Sequence, residues 1–133
     1  MRLLRNVLNS GSLAASEPFG LPTGSLTVMA LVEANPGSSQ AELAAMAGIT
    51  GPSLVGLLDE LERRGLVGRT RDKADRRRNM LALTPEGTET MGRMFTTVSP
   101  IEAPIRAELG DSGLAELTAL LDRAIASLEQ GAR

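Results

Sequence analysis

The chain has 133 residues, 14 Lys or Arg against 16 Asp or Glu, no Cys, no His and only two aromatic side chains, both Phe. That leaves room for one domain or two small lobes and excludes a disulfide framework, a thiolate zinc site and a thiol redox switch; histidine-bound metal or haem is excluded in practice too, while a site built only from carboxylates stays open. No apolar run approaches the ~20 residues that span a bilayer and no signal peptide precedes a cleavage site, so the expected location is cytoplasmic, with no membrane partner.

Met1 to Ala15 carries Leu3, Leu4, Val7 and Leu8 at helical spacing, flanked by Arg2 and Arg5, which predicts a short amphipathic helix buried against another surface. Ser16 to Gly24 is a connection rich in Pro and Gly. Thr23 to Ser25 offer caps for a helix over Leu26 to Ala34, and Asn35, Pro36 and Gly37 stop it. Ser38 or Ser39 can cap the next helix. Glu42, three residues after Ser39, completes a capping box.

From Gln40 the pattern is that of a helix-turn-helix. Leu43 and Ala47 face inward, and the small Ala44 sits where the two helices pass closest. Gly48 falls at the turn, where positive φ costs glycine little. Ile49, Leu54, Leu57, Leu58 and Leu61 continue the apolar stripe. Thr50 caps the second helix, Pro52 is tolerated in its first turn, and Gly65 ends it. Leu66 to Arg71 and Asn79 to Leu83 then read as two short strands joined by a charged turn. Thr84 and Pro85 open the following helix as cap and first residue.

That helix extends to Ser99, with Met91, Met94, Phe95 and Val98 on or near one face. Pro100 and Pro104 bend or interrupt it, and Gly110 ends the next piece. Asp111 or Ser112 caps a last helix, with Leu114, Leu117, Leu120, Leu121, Ile125 and Leu128 at helical spacing. Such a stripe needs a partner helix or a surface within the chain.

A helix-turn-helix followed by a charged hairpin is a winged helix. The fold class is therefore mainly α with a small β-hairpin wing: a winged helix-turn-helix plus a helical dimerisation region. Between Arg63 and Arg78 there are eight Arg or Lys against two Asp, a local charge of +6 in a chain whose net charge is −2. A basic patch on an acidic protein is an electrostatic footprint for a polyanion, and the fold points to duplex DNA. Some of these arginines, Arg63 among them, are expected to pair with nearby acids instead.

The run LAAMAGI, then SLVGLLDELERRGLVGR, then D-x-x-DRR, then LALTPEG resembles the MarR family of bacterial transcription regulators. The motif-bearing part is about 60 residues, Leu26 to Gly87; the flanks fit the family's helical dimerisation regions in length and pattern. The resemblance implies an N-terminal dimerisation helix and connection over 1–22, a winged helix-turn-helix over 23–87 and C-terminal dimerisation helices over 88–133. It implies a homodimer on a near-palindromic operator, usually as a repressor, in many cases released by a small ligand. The peroxide-sensing, cysteine-based branch of the family is excluded. The alternative is a winged-helix protein–protein adaptor that no longer binds DNA.

In the family the N-terminus of the helix after Ser39 approaches a phosphate, so Ser39 and Gln40 are candidate contacts, although capping alone explains Ser39. The recognition helix offers Thr50, Pro52, Ser53, Val55 and Gly56 to the major groove, a set poor in the side chains that make paired hydrogen bonds to bases. Many family members carry Arg or Lys where this chain has Gly56, and Arg at the hairpin tip where it has Ala74. The wing must then supply much of the binding. Arg76 is expected to enter a narrow minor groove, and Arg77 to brace the hairpin through Asp75 or to touch phosphate; Arg71, Lys73 and Arg78 are phosphate contacts. An aromatic or phenolic effector, implied by the resemblance and by the Met and Phe content, would lodge near Phe19, Leu21, Met29, Met91 and Phe95. No nucleophile–base pair, Gly-rich phosphate loop or metal spacing is present, and Asp59, Glu60 and Glu62 are a helix's acidic run. Neither catalysis, nor a cofactor, nor a metal is expected.

Overall fold

The computed structural model describes residues 2–71, 73–75 and 79–131. Asp72 and the expected contacts Arg76, Arg77 and Arg78 lie outside the described residues. In chain order come α1 (Arg2–Ser16), a 3-10 turn (Glu17–Phe19), α2 (Ser25–Ala34), α3 (Gln40–Ala47), α4 (Gly51–Arg63), β1 (Val67–Arg71), β2 (Asn79–Leu83) and the helical run α5 (Pro85–Gly131). This is the α-rich winged architecture read from the sequence. The chain forms two compact units, Met1–Val98 and Ser99–Arg133, and α5 contributes to both.

The first unit is built around α4. Its Leu54, Leu58 and Leu61 recur at helical spacing and are fully buried, and they meet Met29 of α2, Leu43 of α3 and Met94 of α5 in one core. Each such side chain contributes roughly 1.5–3 kcal/mol by leaving water. Val67 of β1 and Leu81 of β2 close the core from the hairpin side. From α1 only Ala15 joins it, with Gly11 and Ser16 also buried; Leu3, Leu4, Val7 and Leu8 are exposed. The caps of α2, Gly24 and Asn35, fall within the stretches read from the sequence, though no side chain bonds the N-terminal one. Gly24 lies in the left-handed region, and the buried Ser25 hydroxyl instead donates to the Pro22 carbonyl at 2.6 Å.

The second unit is helical. Pro100 and Pro104 stand inside the helical run, and the break falls at Gly110, with φ 62 and ψ 179, a combination that glycine alone adopts readily. The expected start of a last helix at Asp111 or Ser112 follows this break. Beyond it Leu117, Leu120, Leu121, Ile125 and Leu128 are exposed.

Candidate nucleic-acid interface

Local chemistry sets the two helices of the motif. At Ser39 both halves of the expected capping box form: the Glu42 N–H donates to Ser39 Oγ at 3.1 Å, and the Ser39 N–H donates to Glu42 Oε2 at 2.8 Å. With the Ser39 donor spoken for, the first-turn N–H groups of Gln40 and Ala41 are those left to face outward. Gly48, at φ 67, ends α3; its N–H reaches the Ala45 carbonyl and the Ile49 N–H the Ala44 carbonyl, a left-handed helix stop. The chain then turns through 104° into α4, within the range of helix-turn-helix pairs.

Thr50 caps α4. Its Oγ1 accepts the Ser53 N–H at 3.3 Å and donates to Ser53 Oγ at 2.8 Å. Gly51, Pro52, Ser53, Val55 and Gly56 are all exposed, so the side expected to enter the major groove is the free side of α4. A Cβ built at Gly51 or Gly56 meets nothing within 4 Å.

The hairpin is tied to α4 at two places. The strands pair antiparallel, from Val67 opposite Leu83 to Arg71 opposite Asn79. Near the middle of β1, Arg69 reaches back to α4: Nη2 donates to Asp59 Oδ1 at 2.7 Å, and Nε lies 3.2 Å from Glu62 Oε2. The second approach is an ion pair without hydrogen-bond alignment, since the buried Nε has no hydrogen-bond partner. At the base of the hairpin, Thr84 Oγ1 donates to the Gly65 carbonyl at 2.6 Å and accepts the Gly87 N–H at 3.0 Å. Gly87 packs so tightly on Leu66 that a Cβ there would stand 1.9 Å from the Leu66 carbonyl oxygen. The LTPEG stretch is therefore a joint: Thr84 stitches the strand to α4's end, and Gly87 permits the contact.

These ties redistribute the basic patch. Arg63 donates to Glu60 through Nε at 2.9 Å and Nη2 at 2.6 Å, as expected of an arginine paired with a nearby acid. Arg64 Nε donates to the same carboxylate at 2.9 Å. Hydrogen bonds from Arg63 and Arg64 hold the Glu60 carboxyl at a pKa of about 2, below its usual 4.5, and Glu60 in turn raises that of Arg63. Counted from Asp59 rather than Arg63, the same eight bases face five acids, a net +3. Arg63, Arg64 and Arg69 serve structure. Arg71 and Lys73 are exposed and form no ion pair with any described residue. Ala74 and Asp75 are exposed at the tip.

The five residues expected to line an effector site are only partly brought together. Phe19 and Leu21 line a pocket of about 160 Å³ with Arg64, Leu66, Glu86 and Thr90. Met29 is fully buried core, Met91 packs against that core and Phe95 is exposed. Sequence reasoning missed Arg64 here. Its Nη2 donates to the Gly20 carbonyl at 2.6 Å and its Nη1 to the Phe19 carbonyl at 3.4 Å, fastening the end of α4 to the connection after α1. Arg93 also caps the Phe19 ring, 5.2 Å from its centroid. Among the described residues no group of three or more acidic side chains is placed to hold a metal, and no single helix is long and apolar enough to cross a membrane.

Four likenesses bear on this arrangement. The family model of MarR family proteins matches residues 19–78. A Thauera aromatica protein, provisionally designated the transcriptional regulatory protein for the hcr operon, is 31% identical over 124 residues, covering 87% of this chain and 75% of that protein. The transcriptional repressor CouR, solved on a 23-mer DNA duplex, is 34% identical with a TM-score of 0.74, over 93% of this chain and 87% of that one. The Mycobacterium tuberculosis MarR family protein Rv2887, solved with p-aminosalicylic acid, is 28% identical with a TM-score of 0.69, over 92% and 95% of the two chains.

Proposed function

The chain belongs to the MarR family of winged-helix, DNA-binding transcription regulators, and from that premise we propose that it is a homodimeric repressor that sits on a two-fold symmetric operator. The observation that carries this reading is the set of ties that join α4 and the hairpin. Arg69, Thr84 and Gly87 tie the two together, so the exposed side of α4 and the exposed cations Arg71 and Lys73 are presented as one surface. A helix for the major groove and a basic ribbon beside it suit duplex DNA. Ser39, Gln40, Thr50, Pro52, Ser53, Val55 and Gly56 form the helical part of the proposed contact, and Arg71, Lys73, Arg76, Arg77 and Arg78 the wing. Repression is supported by the likeness to CouR, whose name states that role.

The dimer is supported by two unpartnered apolar stripes. One is Leu3, Leu4, Val7 and Leu8 on α1; the other runs from Leu117 to Leu128 on α5. Long helices with exposed leucines at helical spacing bury them in a second copy. Release by a small ligand is supported by the pocket beside Phe19 and Leu21 and by the likeness to Rv2887 with its bound acid. Phe19, Leu21 and the pocket's polar rim form the proposed effector contact. The test is selection of bound duplexes from a random pool, followed by sedimentation of the complex. A two-fold symmetric consensus bound by two copies supports the reading. No enrichment, with unchanged binding when Lys73 is replaced by Ala, favours the adaptor.

A further inference from the structure

The groove-facing side of α4 is nearly empty of hydrogen-bond donors. Pro52, Val55, Gly56 and Asp59 share that exposed side. Pro and Gly offer no polar side chain, and Val55 is 39% exposed with only methyl groups to present. Asp59 can only accept, and Arg69 already engages it. At the helix start, Thr50 spends its hydroxyl proton on Ser53, which leaves the Ser53 O–H as the remaining side-chain donor of this set. Paired recognition of guanine needs two donors from Arg or Lys, and that of adenine needs an amide side chain. Neither exists here. The major-groove feature that an apolar side chain can recognise is the C5-methyl group of thymine.

We propose that this helix reads its operator through thymine methyl groups, with Val55 and Pro52 as the specificity-determining side chains. This rests on the DNA-binding reading given above. The methyl contact is a hydrophobic one, so its loss weakens binding by the factor of roughly four that accompanies exposure of one methyl or methylene group. In a symmetric duplex with one such thymine in each half-site the two losses multiply to more than tenfold.

The experiment uses the full chain and the best duplex selected from a random pool. Each thymine is replaced in turn by deoxyuridine, which removes the methyl and keeps every hydrogen-bonding group. The expected result is a loss of about fourfold per half-site at one or two thymines and no loss elsewhere. At those positions a cytosine–guanine pair binds weakly and its 5-methylcytosine counterpart regains most of the affinity. In Val55→Ala the sensitive uridine substitution has no further effect, and an unchanged melting temperature shows that this exposed residue has not disturbed the fold. Gly56→Arg, for which the structure has open space, brings a guanine into the selected consensus. A duplex that is enriched but indifferent to every uridine overturns the inference and leaves DNA binding standing. Failure to enrich any duplex overturns both.

Discussion

Replacing Gly87 by Ala tests the joint between hairpin and helix. The added methyl would stand 1.9 Å from the Leu66 carbonyl oxygen, far inside the 3.4 Å at which ordinary contact begins. The carbonyl is also held, since it accepts the Thr84 N–H at 3.0 Å, so neither side gives way cheaply. Overpacking of this kind costs about 3 kcal/mol, at the upper end of its usual range. Ala is favoured over Gly within a helix by about 1 kcal/mol. The net expectation is a destabilisation of about 2 kcal/mol, or roughly 8 °C in Tm for a chain of this size. Gly56→Ala is the matched control. It is the same chemical change in a helix, with nothing within 4 Å of the new methyl, and it should raise Tm by about 4 °C. The assay is thermal unfolding followed by circular dichroism at one protomer concentration, because dissociation of a dimer makes Tm depend on concentration. If the two variants shift Tm equally and in the same direction, the close approach of Gly87 to Leu66 is wrong.

Arg69→Ala removes a brace whose partners, Asp59 and Glu62, are solvent-exposed. Exposed ion pairs are worth about 1 kcal/mol or less each, so Tm should fall by only a few degrees while affinity for the selected duplex, measured by fluorescence anisotropy, falls clearly more than for a surface Arg2→Ala control. Glu60→Gln tests the pH linkage. The folded-state pKa of Glu60, about 2, lies below its ordinary 4.5. Its stabilisation is therefore complete above the ordinary value and is lost as pH falls through the folded one. The Tm gap between wild type and variant should be constant near neutrality and close between about pH 4.5 and pH 2. Ile125→Glu places a charge on the exposed apolar stripe of α5; sedimentation should show the proposed dimer dissociating, with loss of DNA binding.

Much of the first unit was legible because its signals are local. The Ser39 and Thr50 caps and the positive φ of Gly48 each depend on neighbours within about four residues, and all stand where the sequence placed them. Long-range ties were not legible. Arg64 bonds a carbonyl 44 residues away, and no periodicity announces such a pair. The expected pairing of some patch arginines with nearby acids is seen at Arg63, but a window opened at Arg63 leaves out Asp59, Glu60 and Glu62, which lie just upstream and also engage Arg64 and Arg69. Asp59 and Glu62, three residues apart on α4, were the signal that could have exposed the Arg69 brace. Met29 illustrates the other limit, because a methionine in an apolar run looks the same whether it lines a ligand or fills a core.

The most direct test of the central claim is the salt dependence of binding to the selected duplex. If each subunit neutralises about four phosphates, log K falls against log salt with a slope near −7, and Lys73→Ala flattens it by about 2 for the dimer. A slope near zero, unchanged in that variant, would contradict the assignment of this surface to duplex DNA.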